Sequence, residues 1–307
     1  MAYIQPMLQV LIVVGIGMLL AWKTDIKKHV RMLSLLIMYV LIPAVVFRSA
    51  YQSSMRLADC LDYYGVLFSV YTCTLLASYL LCRILRLEGP DLRTFCINGP
   101  YSNNGAAGYT IIQAFLGDYY GGIAAVASAY SNVLINITGP IIIRAGSGGH
   151  LREALKGLVK MPVIYALLLG YLLKGLGVKL PDLLLTPINQ LASAAFPLCL
   201  LLIGVQIQGQ KLKGRISRLL LPSGIKLLLM PLIALVLIRF VLHVSMPHSV
   251  VVFLLAAMPP ASTMVAIASS YGTKYEAEAV SSVTCFATVM SILTIPCMLY
   301  LSAQLFL

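Results

Sequence analysis

Apolar runs long enough to cross a bilayer recur ten times along this chain, and that recurrence limits the fold more than any motif does. They lie near 6–22, 33–50, 61–82, 94–116, 120–143, 158–178, 184–206, 219–241, 249–271 and 276–305. A helical crossing takes about 20 residues, so ten of them use roughly 200 of the 307. The rest suffices for short loops and leaves no room for a soluble domain. Only 10% of the residues are charged, against about 25% in soluble proteins. An all-α integral membrane protein is the expected fold class.

The charges that remain test this count. The net charge of +12 would suggest nucleic acid in a soluble chain. Here the basic residues alternate with the runs. Lys23, Lys27, Lys28 and Arg31 follow the first run, and Arg83, Arg86 and Arg93 the third. Arg144, Arg152, Lys156 and Lys160 follow the fifth, Lys211, Lys213, Arg215 and Arg218 the seventh, and Lys274 the ninth. The opposite loops hold only Arg48, Arg56, Lys174, Lys179 and Arg239. Because basic loops stay in the cytoplasm, a multi-pass protein of the cytoplasmic membrane is expected, with both termini on the non-cytoplasmic side. The bilayer is then the expected large partner, and nucleic acid is not.

The two halves look related. Prolines 6, 43, 90, 100 and 140 are matched by 162, 197, 247, 260 and 296, at offsets of 154 to 160 residues. Five crossings per half is an odd number, so the halves would be inverted, as in many secondary transporters. Prolines falling in comparable loops are the alternative account. The expected organisation is a first five-helix repeat over 1–146, a short cytoplasmic linker over 147–157 and a second, inverted repeat over 158–307.

Two runs cannot continue as plain helices. The fourth contains Asn98-Gly-Pro-Tyr-Ser-Asn-Asn-Gly-Ala-Ala-Gly108, and the ninth contains Met258-Pro-Pro-Ala-Ser-Thr263. Proline removes a backbone donor and disfavours helix in the residue before it, while glycine lowers the barrier to unwinding. Broken helices at matched places in two halves are a pointer to a transporter binding site. Asn103, Asn104, Gly105, Gly108, Pro259, Pro260, Ser262 and Thr263 are therefore the candidate substrate-binding residues. Polar stripes on the last run of each half, Ser128/Asn132/Asn136 and Ser281/Thr284/Thr288/Ser291, mark inward faces or glue helices together. Asn132 and Thr288 are the supporting candidates among them.

Charge placement narrows the substrate. All ten acidic residues fall at run ends or in loops, so a mid-membrane carboxylate pair for cation exchange is lacking. Broken helices instead aim positive N-termini at a bound group, which suits a carboxylate. Lys226 is the clearest intramembrane charge. It supports an anion, pairs with Asp59 or Asp62, or snorkels to the interface. An enzyme is not expected: His29, His150, His243 and His248 are dispersed, and Leu116-Gly117-Asp118 lacks the first glycine of a G-x-G-D site. The seven cysteines show no metal or disulfide spacing and read as small core residues.

At these residues the chain resembles the auxin efflux carrier family of plant PIN-type carriers and bacterial permeases. The likeness rests on Asn103, Gly105 and Gly108, on Met258–Thr263 with Ala268-Ser-Ser-Tyr-Gly272 and Leu293-Thr-Ile-Pro296, and on Lys226-Leu-Leu-Leu-Met-Pro231. It implies ten helices in two inverted five-helix repeats, with broken helices 4 and 9 crossing. It also implies a scaffold of helices 1, 2, 6 and 7, a transport domain of helices 3–5 and 8–10, and elevator-type export of small organic anions. By resemblance Asn103 and Pro259 contact the anion, and Asp62 or Asp59 takes a supporting, proton-linked role. Proton coupling is expected ahead of sodium, with no cofactor, and a homodimer is a further expectation. Asn104, which doubles the asparagine, and Tyr109-Thr110 depart from the family pattern. A passive channel, or a membrane sensor of the same ligands, is the rival reading.

Overall fold

The computed structural model describes residues 4–52, 57–144, 162–209, 216–244, 246–261 and 263–306. The expected linker at 147–157 and Ser262 lie outside them, as do the side chains of Asp59 and Asp62. Among the described residues the chain is helical and has no strand. Its helices are α1 (Ile4–Lys23), α2 (Val30–Leu36), α3 (Ile42–Gln52), α4 (Leu57–Ile84), α5 (Gly89–Asn98), α6 (Tyr109–Leu116) and α7 (Asp118–Ile143). They continue as α8 (Pro162–Gly175), α9 (Asp182–Gly209), α10 (Ile216–Gly224), α11 (Met230–Val236), α12 (His248–Ala256), α13 (Thr263–Tyr271) and α14 (Lys274–Phe306).

All ten apolar runs contain helix, but few are single helices. Among the described residues four stretches are long and apolar enough to cross a membrane: Tyr63–Ile84, Asp182–Leu202, Arg218–Val241 and Lys274–Phe306. A fifth, Asp118–Asn132 with Ile137–Ile143, qualifies if its 43° bend lies within one crossing. Four or five crossings thus stand by length and composition among the described residues, against an expectation of ten. Runs four and nine are interrupted and α8 has 14 residues, while run two carries a π turn at Ile37–Leu41 within its helix. That turn precedes Pro43, which has no N–H for the carbonyl four residues back, and Ile42 N–H reaches Ile37 O instead. A second π turn, Ile225–Leu229, precedes Pro231 in the same way, with Met230 N–H on Ile225 O.

The faces turned outward are apolar. Ile12, Ile16 and Leu19 on α1, Leu76 and Leu80 on α4, and Leu168 and Leu172 on α8 are all exposed at helical spacing. Such stripes suit lipid as solvent. The described cysteines are free, and Cys82, Cys96, Cys199 and Cys285 are buried as small core residues should be, whereas Cys297 is exposed.

Residue contacts divide the chain into two compact units. One comprises Met1–Leu61, Asn104–Tyr130 and Lys160–Gly209. In it α1 meets α9 through Gly17 and Gly204, and α3 meets α8 through Gly170. A Cβ on Gly170 would lie 2.8 Å from that of Ala50. Small residues let helix backbones approach closely, which is how helices associate where lipid removes the hydrophobic drive. Tyr51 ties the unit further, donating to Val178 O at 2.9 Å and accepting from Leu180 N at 3.0 Å.

The other unit comprises Asp62–Asn103, Ser131–Val159 and Gln210–Leu307. Its centre is α12, whose Ser249–Ala256 are buried all round, as expected for a helix with no polar face. Tyr71, Ile97, Tyr101, Ile135, Met264 and Ile267 belong to one apolar cluster beside the helix breaks. At one end of the unit Thr273 and Glu276 form a capping box on α14. Glu276 N–H donates to Thr273 Oγ1 at 3.3 Å, and Glu276 Oε2 accepts from Thr273 N at 2.7 Å. Arg93 on α5 donates to the other carboxylate oxygen at 2.7 Å.

Candidate functional site

In the second unit both interruptions are extended, and they pair. Gly99 ends α5 with its N–H on Phe95 O, and α12 ends at Ala256. Past these ends Asn103 N–H donates to Pro259 O at 2.8 Å, and Ala261 N–H donates to Tyr101 O at 3.0 Å. Ser102 and Pro260 therefore face one another as an antiparallel bridge. In such a pair the hydrogen bonds run through the flanking residues, so the facing residues need no N–H of their own. That is why a proline fits at 260 although proline is otherwise excluded from a paired strand. The two breaks thus satisfy part of each other's backbone, which buried irregular chain must do.

Side chains brace this crossing. Tyr101 OH and Thr138 Oγ1 are 2.5 Å apart, and the Tyr101 ring lies 5.7 Å from that of Tyr71. Asn98 donates to Thr94 O and accepts from Thr284 Oγ1 at 3.3 Å, linking the end of α5 to α14. Lys226 is fully buried. Its Nζ donates to Ser102 Oγ at 2.7 Å, to Ala256 O at 2.8 Å and to Met230 Sδ at 2.9 Å.

The sequence-derived candidates divide between the units. Asn103 is half-buried in the crossing, Pro259 and Pro260 are buried opposite it, and Thr263 opens α13, half-buried. Asn104, Gly105 and Gly108 belong to the first unit, where they form a π turn, Asn104–Gly108. A Cβ on Gly105 would meet open space, so packing does not demand glycine there. Asn132 and Thr288 are half-buried on α7 and α14, and Thr288 Oγ1 donates to Thr284 O one turn back. Ser128 and Ser291 likewise bond their own helices. The stripes thus spend much of their capacity locally. Snorkelling of Lys226 is overturned by its burial, and its bonded partners among the described residues are a hydroxyl, a thioether and a carbonyl.

Ser102, Tyr101 and the Ala256 carbonyl are central to the crossing yet carry no motif. A cavity of about 440 Å³ elsewhere in the unit is lined by Asp91, Phe95, Arg218, Tyr275 and Glu278 among others, none of them a crossing residue. Arg218 donates to Tyr275 OH at 3.0 Å at its rim, and Tyr275 OH donates to Asp91.

Comparison with known proteins puts this geometry in context. The profile of a family described as "Membrane transport protein" matches residues 2–153 and again 150–299. A transporter of Methanothermobacter thermautotrophicus is 24% identical over 294 residues, covering 95% of this chain and 96% of that protein. The Escherichia coli transporter YfdV is 27% identical over 174 residues, which is 54% of this chain and 55% of YfdV. Transporter MJ1031 of Methanocaldococcus jannaschii is 23% identical over 199 residues, covering 61% and 63%.

Proposed function

Since the chain belongs to the membrane transport protein family, the auxin efflux carriers, we propose that it carries a small organic carboxylate across the cytoplasmic membrane by alternating access. It is a multi-pass transporter. The observation that carries the proposal is the paired crossing of Tyr101–Asn103 with Pro259–Ala261. Irregular backbone in an apolar surround has a cost, and transporters bear it where a solute binds. Asn103 offers an amide beside the crossing, and Thr263 offers the first turn of α13, whose N-terminal N–H groups favour an anion. Asp62 or Asp59 on α4 supplies the coupled proton. In this reading ten crossings form two inverted five-helix repeats, helices 1, 2, 6 and 7 make the scaffold, and helices 3–5 and 8–10 move as an elevator. Export is favoured energetically, because a negative-inside potential of 100 mV drives one anionic charge outward by about 2.3 kcal/mol.

The test is a melting-temperature panel of small carboxylic acids followed by counterflow in proteoliposomes. At least one acid should stabilise the protein and drive counterflow. Asn103→Ala keeps the backbone bond to Pro259, so it should fold yet bind that acid at least about tenfold more weakly, roughly 1.4 kcal/mol. Unchanged binding would remove Asn103 from the site. Flux without counterflow would make the protein a channel.

Orientation is checked separately. A cysteine replacing Lys28, in the exposed turn after α1, should react with impermeant maleimide only from the cytoplasmic side. Labelling in intact cells would reverse the topology.

A further inference from the structure

The Ala256 carbonyl is deprived of backbone donors by the sequence that follows it. At the end of a helix it would accept from residue 260 in an α turn or from residue 259 in a 3₁₀ turn. Both are prolines and have no N–H. Ala256 is buried, 2% exposed, so water does not replace the missing donors. The carbonyl also stands at the negative end of α12. Its donor comes instead from Lys226, 30 residues upstream, whose stem reaches in from the π turn before Pro231. A lysine ammonium has three N–H donors, and its surroundings supply three acceptors: Ala256 O, Ser102 Oγ and Met230 Sδ.

Two of those acceptors belong to the crossing. Ser102 lies in one extended segment, and Ala256 leads into the other. Helix C-terminal ends and unwound carbonyls are the groups with which secondary transporters hold a coupling cation. We propose that Lys226 is a tethered cation filling a monovalent-cation site made by the Ala256 carbonyl and the Ser102 hydroxyl, a site that Pro259 and Pro260 create by withholding both backbone donors. The crossing is thereby held without a free sodium ion at this place. The inference stands whatever solute the protein moves.

The experiment empties the site and refills it. Melting temperatures of purified wild type and Lys226→Ala would be compared in choline, sodium, ammonium and methylammonium chloride at equal ionic strength. Wild type should be indifferent to the choice of salt. Lys226→Ala should melt several degrees lower in choline and recover in ammonium or methylammonium, whose N–H groups replace those of the side chain. A variant as stable as wild type in choline, or equally destabilised in all four salts, would overturn the proposal. If Lys226→Ala cannot be purified, the proline supplies a second test. Pro260→Ala returns an N–H donor at residue 260, so Lys226→Met combined with Pro260→Ala should melt higher than Lys226→Met alone and yield more folded protein. No recovery in the pair would be equally fatal.

Discussion

Glu276→Ala is expected to destabilise the protein by about 3–5 kcal/mol, the usual cost of breaking a buried ion pair, and to lower its melting temperature accordingly. The carboxylate is nearly fully buried, with its side chain 1% exposed, while that of Arg93 is 21% exposed. One oxygen accepts from Arg93 Nε at 2.7 Å, and the other accepts from Thr273 N and Thr273 Oγ1 at 2.7 and 2.8 Å. Removing Glu276 therefore strands a guanidinium and undoes the capping box of α14 in one step. Arg93→Met should cost less, nearer 2 kcal/mol, because both Thr273 donors stay on the carboxylate. The cycle is the decisive measurement. Arg93→Met with Glu276→Ala should fall short of the summed single losses by about 1–3 kcal/mol. Strict additivity would mean that the pair contributes no coupling and that its burial is incidental.

This pair also marks where sequence reading ran out. The capping half has a local signature that went unread, the S/T-x-x-E form of Thr273-Lys-Tyr-Glu276. The Arg93 half has none, because 183 residues separate the partners and an arginine between two apolar runs looks like any other basic loop charge. The helix breaks were legible because their chemistry is local. Gly99-Pro100 and Pro259-Pro260 change local backbone chemistry, and local chemistry can be read from neighbours. Their pairing was a different matter. Nothing near Ser102 says that it faces Pro260, and the register follows from which residues can do without an N–H. Lys226 was legible as an anomaly, a charge within an apolar run, but its partners were not. Two of them, Ser102 Oγ and the Ala256 carbonyl, are common groups made special only by burial. The polar stripes were legible as faces and no further: Ser128, Thr284 and Ser291 are buried, as an inward face requires. Helical spacing identifies a shared face, yet Ser128, Thr288 and Ser291 turn their hydroxyls back onto their own helices.

Glycines pose the same problem on α1, and they yield the second large effect. Gly204→Ala should destabilise the protein by at least about 3 kcal/mol, at the upper end for overpacking. A Cβ on Gly204 would overlap the Val14 carbonyl and lie 2.8 Å from Met18 N and 3.0 Å from the carbonyl carbon of Gly17. Those atoms are backbone, so no rotamer change relieves the clash, and α1 must back away from α9 along the contact. Gly17→Ala should behave alike, because its Cβ would strike the Leu201 carbonyl. Gly15 is the control that separates packing from helix propensity. It lies one residue from Val14 on the same helix, yet a Cβ there meets nothing within 4 Å. Gly15→Ala should be neutral or stabilising by up to about 1 kcal/mol, the propensity gain alone. Melting temperatures of the three variants in detergent decide the matter. If Gly204→Ala and Gly15→Ala shift together, the close approach of α1 and α9 does not hold the first unit. If only Gly17→Ala and Gly204→Ala fall, backbone proximity through two facing glycines is what joins them.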